Sequence, residues 1–191
     1  MKKIRLIIVA VLVLFGIWIG TKYNSLVNLD ESVKTSWWQV ENVYQRRLDL
    51  IPNLVNTVKW AAAQESGVLV AVTEARAIAT KLTVSISDAK SLAAYQQSQS
   101  ELSSALGKLL AVTENYPQLQ SIAAFRDLMT QLEGTENRIT VERMNFNTAA
   151  KAYNIAIRTF PANIVAWLFH FDAVSVFTAD KWAESAPKVQ F

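Results

Sequence analysis

The sequence of 191 residues has no cysteine, one histidine and few residues that interrupt helices, with 5 glycines and 4 prolines. The lack of cysteine excludes disulfides, zinc–thiolate sites, thiol chemistry and a lipidated N-terminal cysteine. Because 51% of the residues are hydrophobic, a chain with so few breakers can form long elements and bury a sizeable core. The length fits one domain plus an anchor.

The single histidine restricts the metal and catalytic sites that the chain can form. A di-metal carboxylate site in a helical bundle requires two Glu-x-x-His motifs, whereas Trp167 stands three residues before His170. The sequence also lacks a Walker lysine loop, a glycine-rich phosphate turn and a histidine for a triad inside a bundle. We therefore predict no metal site, no cofactor, no catalytic residue and a protein that is not an enzyme.

The excess of basic residues is confined to the N-terminus. The 19 lysines and arginines exceed the 16 aspartates and glutamates by three, and Lys2, Lys3 and Arg5 are the first charged residues of the chain. The remainder of the chain is therefore close to neutral. Since a nucleic-acid-binding domain usually carries a basic face, we predict that this chain does not bind nucleic acid.

An uncharged apolar run over residues 6–20 predicts a membrane anchor. A span needs about 20 apolar residues, and Ile4 and Thr21 extend this run towards that length. We predict an anchor domain at residues 1–22 that contacts the lipid bilayer through residues 4–21. A cleaved signal peptide is the alternative, but no A-x-A-like cleavage site follows the run.

The basic residues before the anchor also predict its orientation. Lys2, Lys3 and Arg5 precede the run, whereas Lys22 and Lys34 follow it. Because basic residues are enriched on the cytoplasmic side, the N-terminus is expected inside the bacterial inner membrane. The remainder of the chain is then expected on the outer, periplasmic side.

Hydrophobic residues recur at every seventh position after the anchor, which predicts the first bundle helix. The stripe consists of Trp37, Tyr44, Ile51 and Val58. Because the stripe keeps its phase past Pro52, we predict a kinked but continuous helix from about residue 24 to residue 64. The alternative is a break near Ile51, with Pro52 opening a second helix.

Two shorter helices and one long helix follow in the prediction. The shorter ones cover residues 67–81 and 88–115, separated by the capping residues Ser85, Ser87 and Asp88. The long helix covers residues 118–159, about 60 Å, and carries the apolar stripe Phe125, Leu132, Ile139, Phe146, Tyr153 and Phe160. The predicted fold is all-α, with an N-terminal transmembrane helix and an antiparallel four-helix-type bundle over residues 23–160.

The C-terminal tail, residues 161–191, is rich in aromatic residues. Trp167, Phe169, Phe171, Phe177 and Trp182 all lie in this segment. Such a composition argues against disorder, so we expect the tail to pack back on the bundle. A docking surface for a partner or for the bilayer is the alternative.

Charged residues interrupt the apolar stripes at a few positions. They are Arg47 in the first helix and Glu136 and Arg143 in the last, and Arg46 and Glu133 lie close to them in the sequence. Because a buried charge is costly unless it is paired, we expect Arg47 or Arg46 to pair with Glu136 or Glu133 across two helices. The cluster is either a structural polar layer that fixes the helix register or an interaction site.

Motifs spread over the whole chain carry a family resemblance. They include Tyr23-Asn24-x-Leu26-Val27, Gln45-Arg46-Arg47-x-Asp49-Leu50-Ile51-Pro52, Val72-Thr73-Glu74-Ala75-Arg76, Glu133-Gly134-Thr135-Glu136-Asn137-Arg138-Ile139, Tyr153-Asn154-x-x-Ile157-Arg158-Thr159-Phe160-Pro161 and Ala186-Pro187-Lys188-Val189. Together they resemble the bacterial LemA family. The resemblance implies one N-terminal membrane segment and an antiparallel helical bundle, but it implies no catalytic residues.

Three functional hypotheses remain open at this point. The first is a membrane-anchored scaffold of the cell envelope that forms a homo-oligomer or binds membrane proteins. The second is a regulatory partner of a membrane peptidase or of an envelope-stress system. The third is an enzyme that uses the Arg46, Arg47, Glu133 and Glu136 cluster in a polar pocket.

Overall fold

The computed structural model describes residues 2–59 and 66–178, and it confirms the predicted all-α class. Within these residues there are six helices and no strand. The helices are α1 (Lys2–Val58), α2 (Ser66–Lys81), α3 (Ala89–Thr113), α4 (Pro117–Gln120), α5 (Ala123–Arg158) and α6 (Ala162–Leu168). Asp88 caps α3, as predicted, by accepting a hydrogen bond from the backbone N–H of Lys90 at 2.9 Å.

Helix α1 joins the apolar N-terminal segment directly to the bundle. It is 57 residues long, or about 85 Å at 1.5 Å per residue. The most apolar 18-residue stretch of this helix has a mean hydropathy of 2.5, so the helix is long and apolar enough to cross a membrane. None of the residues in this stretch is buried in the bundle. No loop separates this apolar stretch from the buried residues of the helix, the first of which is Leu26. The continuity of the two parts is a finding that the hydrophobic pattern alone did not predict.

The same helix passes through Pro52 without ending, as the stripe predicted. Residues 60–64 of the predicted helix lie outside the described residues. Proline has no N–H, so the carbonyl of Leu48 loses its partner within the helix. Arg76 of α2 replaces that partner, because its Nε donates to the Leu48 carbonyl at 2.8 Å. A side chain of the next helix therefore satisfies the backbone group that the proline leaves open.

We expect Arg76→Met to lower the free energy of unfolding by about 1.5 kcal/mol, because a charge-assisted hydrogen bond is lost at a partly buried carbonyl. In a Pro52→Ala background the restored N–H can reach the Leu48 carbonyl, and the same change is expected to cost less than about 0.5 kcal/mol. Urea unfolding of the four proteins of this cycle in mild detergent measures the difference. Equal costs in both backgrounds would contradict the assignment, and the exposed Arg138→Met serves as the control.

Helices α1 and α5 run antiparallel and bury the two predicted stripes against each other. Trp37 contacts Phe146 with ring centroids 5.2 Å apart, while Arg47 reaches Glu136, ten residues earlier in α5 than Phe146. All stripe residues of both helices are buried except Phe160, which is 77% exposed. The prediction that Phe160 lies on the buried stripe was wrong, because α5 ends at Arg158 and the extended Thr159 turns the chain away from the stripe.

The predicted helix over residues 118–159 is also corrected, since it consists of two helices. Helix α4 ends at Gln120, and Ile122 adopts an extended conformation before α5 begins. The hydroxyl of Ser121 donates to the Gln118 carbonyl at 2.7 Å, which closes the end of α4. This turn places Leu119 fully in the core.

The core consists of two hydrophobic clusters along the length of α1. The first is nearer the apolar segment and includes Leu26, Trp37, Tyr44, Phe146 and Phe177. The second is farther away and includes Leu48, Leu54, Val72, Leu102 and Leu132. The transition between the clusters falls between Tyr44 and Leu48 in α1, which is where Arg47 lies.

Candidate functional site

A polar cavity of about 550 Å³ lies between α1, α3 and α5 at the level where the two core clusters meet. Arg47 enters it from α1, Gln99 and Ser103 from α3, and Glu136 and Arg143 from α5. Arg47 and Gln99 are buried on the inward faces of their helices, Glu136 and Arg143 are partly buried, and Ser103 is exposed. Among the described residues, this cavity is where a buried arginine meets a carboxylate of another helix.

Arg47 is the centre of this site, with only 1% of its surface exposed. Its Nη1 donates to Glu136 Oε1 and to Ser103 Oγ, both at 2.7 Å. Its Nη2 donates to the side-chain oxygen of Gln99 and, at 3.3 Å, to the Gln99 carbonyl. The guanidinium also lies 5.2 Å from the centre of the Tyr44 ring.

The ion pair of Arg47 is asymmetric in its exposure to solvent. The side chain of Glu136 is 40% exposed, whereas Arg47 is enclosed. Within the described residues, two buried donors of the site have no hydrogen-bond partner in the protein, Arg47 Nε and Gln99 Nε2. Because both are donors, the cavity suits water or a small acceptor-rich molecule.

The remaining predicted site residues lie around this pair. Arg46 is exposed on α1, and Glu133 is exposed one turn before Glu136, where both glutamates line a neighbouring cavity of about 440 Å³. Arg143 lines the main cavity, and its guanidinium lies 4.8 Å from the centre of the Phe177 ring. The structure thus brings Arg47, Glu136 and Arg143 to one cavity and leaves Arg46 outside it.

Among the described residues that line the cavity, no serine or threonine hydroxyl is hydrogen-bonded to a side chain that could act as its general base. Ser103 accepts a hydrogen bond from Arg47, which is a cation and cannot serve as a general base. Burial, followed by the nearby Tyr44 and Glu41, raises the pKa of Tyr95 and keeps its phenol protonated. No group of three or more histidine, aspartate or glutamate side chains that could hold a metal occurs among the described residues.

A second polar feature, which the sequence did not reveal, fixes residues 171–178, which follow α6 outside any helix, to the bundle. Asn147 donates to the Phe177 carbonyl and accepts from the Phe177 N–H, both at 2.9 Å. Asn154, seven residues later on the same face of α5, pairs in the same way with Val174 at 2.7 and 2.9 Å. We call Asn147 and Asn154 the amide clamp.

Two further side chains hold the same segment. Tyr153 donates its hydroxyl to the Asp172 carbonyl at 3.0 Å. Burial, followed by Asp30 and Asp172, raises the pKa of Tyr153 from 10.0 to about 12. Protonated Tyr153 therefore contributes fully to the stability of the fold below pH 10.0, and this contribution is lost as the pH rises towards 12. Gln96, which lines the cavity, donates to the Thr178 carbonyl at 2.8 Å.

Replacing either residue of the amide clamp is expected to free the nearer backbone amide. Asn147→Ala removes two hydrogen bonds, so we expect a loss of about 2 kcal/mol in protection of the Phe177 amide, with a smaller loss at Val174. Asn154→Ala should reverse that order. Hydrogen exchange of the two amides measures this. Asn145→Ala, on the exposed face of α5, is the matched control, and equal effects of all three changes would contradict the assignment.

Fold and site together define a class of protein. The chain is an antiparallel helical bundle continuous with one helix that is long and apolar enough to cross a membrane, and its interior polar site carries no catalytic constellation among the described residues. The LemA family model matches residues 36–191. The chain belongs to the LemA family, which confirms the resemblance found in the motifs.

Curated relatives extend this comparison. The chain is 29% identical over 178 residues to the magnetosome protein MamQ 2 of Paramagnetospirillum magneticum, with 82% of this chain and 64% of the relative covered. It is 27% identical over 175 residues to the magnetosome protein MamQ of Magnetospirillum gryphiswaldense, with the same coverage. The chain thus spans 64% of the length of these relatives.

Proposed function

We propose that this protein is a single-pass, membrane-anchored scaffold of the bacterial cell envelope that presents its bundle to partner proteins without catalysing a reaction. The observation that carries the proposal is the continuity of α1 from the apolar segment into the core. A helix without an intervening loop holds the bundle at a fixed distance and orientation relative to the apolar segment.

The polar site supports the same reading. Arg47 is held by Glu136, Ser103 and Gln99, and this arrangement fixes the relative register of α1, α3 and α5. A buried polar layer that specifies register is the best-attested role of such groups in helical bundles. We therefore assign Arg47 and Glu136 to the alignment of the bundle, and Arg143 to the junction with residues 177–178.

Photo-crosslinking in native membranes tests the scaffold function. A photoreactive residue at Met144, an exposed apolar position in the middle of α5, should give adducts of discrete mass with a second copy or with a membrane protein. The same residue at Leu102, which is fully buried, is the control for random capture. If exposed positions on every helix gave no adduct above this control, the protein would have no stable partner and the scaffold function would be refuted.

We further propose that the bundle lies outside the inner membrane, because Lys2, Lys3 and Arg5 favour a cytoplasmic N-terminus. The absence of cysteine makes single-cysteine labelling unambiguous. In intact spheroplasts, an impermeant maleimide should label Ser87→Cys at once and Lys3→Cys only after permeabilisation. The reverse pattern would place the bundle in the cytoplasm.

A further inference from the structure

An exposed apolar surface covers the end of the bundle where α5 turns into α6. Its members, which we call the cap, are Phe160, Ile164, Trp167, Leu168 and Phe169. Trp167 is 79% exposed, although tryptophan is a residue that folded proteins rarely leave so open. The opposite face of α6 is occupied, because Val165 and Ala166 are buried in the first core cluster. The cap is therefore an outward face that the described part of the bundle leaves largely exposed.

The cap lies at the level where the apolar segment of α1 ends. The ring of Phe169 is 4.8 Å from that of Tyr23, and the ring of Phe171 is 5.7 Å from it. Tyr23 is two residues, or about 3 Å, beyond the end of the predicted span at Thr21. The cap is thus attached to α1 at the point where a membrane-spanning helix leaves the hydrocarbon.

Contacts of α1 about one turn before Tyr23 also indicate that the cap lies at the end of the apolar run. Trp18 and Ile19 belong to the apolar run, yet both are partly buried against the first core cluster. The antiparallel register of α1 and α5 also brings the C-terminal end of α5 to the beginning of the bundle, since Trp37 faces Phe146 and Tyr153 lies near Asp30. If residues 4–21 cross a bilayer, the end of the bundle that carries the cap lies at its surface.

We propose that the cap inserts into the interfacial layer of the same phospholipid bilayer that the apolar segment crosses, giving the bundle a second membrane contact. Tryptophan and other aromatic residues favour this layer, and an apolar face can be buried about 5 to 10 Å into it. Arg158 and Lys22, at the adjoining ends of α5 and of the apolar run, can reach lipid headgroups. This inference rests on the proposed membrane anchor, and it deepens that function because two contacts fix the tilt of the bundle.

Fluorescent labels on the full chain test the insertion. Ile164→Cys carries the label in the cap, and Val70→Cys is a matched control, because both side chains are 52% exposed. Val70 of α2 lines a cavity with Val55 of α1. Because Val55 is about 50 Å beyond Thr21 along the axis of α1, Val70 lies far from the predicted span. Leu12→Cys reports on the anchor itself. The protein is reconstituted in phosphatidylcholine–phosphatidylglycerol vesicles that contain lipids with a nitroxide quencher near the headgroup or deep in the chain.

We expect the label at position 164 to be quenched severalfold more strongly by the shallow quencher than the label at position 70. The deep quencher should act mainly on position 12. Trp167→Ser in the Ile164→Cys protein should reduce the shallow quenching, while the thermal unfolding of the bundle stays unchanged.

Three results would overturn the insertion of the cap. Equal quenching at positions 164 and 70, with position 12 still quenched, would refute the cap contact and leave the anchor intact. A blue shift at position 164 without lipid quenching, rising with the ratio of protein to lipid, would show that a second copy covers the cap. A lack of quenching at position 12 would refute the anchor and the cap contact together.

Discussion

Trp37→Ala is expected to lower the free energy of unfolding by about 4 kcal/mol, the largest effect of any single substitution proposed for this chain. Trp37 is buried, and its ring contacts three others. The centroid distances are 5.2 Å to Phe146, 5.9 Å to Tyr95 and 5.9 Å to Phe177. One side chain therefore joins α1, α3, α5 and residues 171–178, and its removal opens a cavity that none of these elements can close alone.

The neighbouring tryptophan provides a matched control. Trp38 follows Trp37 in the chain but lies on the exposed face of α1. Trp38→Ala is expected to change the stability by less than about 0.5 kcal/mol. Chemical unfolding of both variants in mild detergent, followed by near-ultraviolet circular dichroism, measures the difference. Similar losses in the two variants would contradict the orientation of α1 in the bundle.

Glu136→Ala is expected to lower the free energy of unfolding by about 3 kcal/mol, because it leaves the enclosed charge of Arg47 without its counter-ion. Arg47→Met in the same protein removes that stranded charge and retains an apolar side chain of similar length. The double variant should therefore be more stable than Glu136→Ala alone by about 1 kcal/mol or more. The loss is not fully reversed, because Gln99 and Ser103 lose the donor that now satisfies them.

The ion pair is tested by whether Arg47→Met raises or lowers the free energy of unfolding of the Glu136→Ala protein. A surface pair would give small and additive losses, since both charges could be hydrated. Glu133→Ala, one turn earlier on the exposed face, is the control and should cost less than about 0.5 kcal/mol. A double variant less stable than Glu136→Ala would show that Arg47 stabilises the bundle through packing and its hydrogen bonds to Gln99 and Ser103 more than through the ion pair.

The apolar stripes and the cost of burying a charge were enough to predict which face of α1 is buried and that Arg47 needs a partner on another helix. The seven-residue spacing of Trp37, Tyr44, Ile51 and Val58 gave the buried face of α1 and its phase. Arg47 follows Tyr44 by three residues and so falls on that face, which is why a partner on α5 could be anticipated. Arg46 is displaced by about 100° around the helix and points to solvent.

Other features have no periodic signal. The amide clamp depends on two asparagines that bond to backbone groups 20 and 30 residues away in sequence. The bond between Arg76 and the Leu48 carbonyl is similarly non-local, at a separation of 28 residues. The break at Ser121 and Ile122 precedes the first stripe residue, Phe125, so the stripe held no information about it. Hydropathy distinguished the apolar segment from the bundle because it depends on composition and not on whether one helix continues into the next part of the chain.

Double electron–electron resonance tests the continuity of α1 most directly. Spin labels at Leu12→Cys and Thr35→Cys, both on exposed positions of α1, are 23 residues apart in the full chain in vesicles. A continuous helix predicts one narrow distance distribution centred at about 35 Å. A broad distribution, or a mean well below that value, would reveal a hinge between anchor and bundle and would contradict the rigid scaffold.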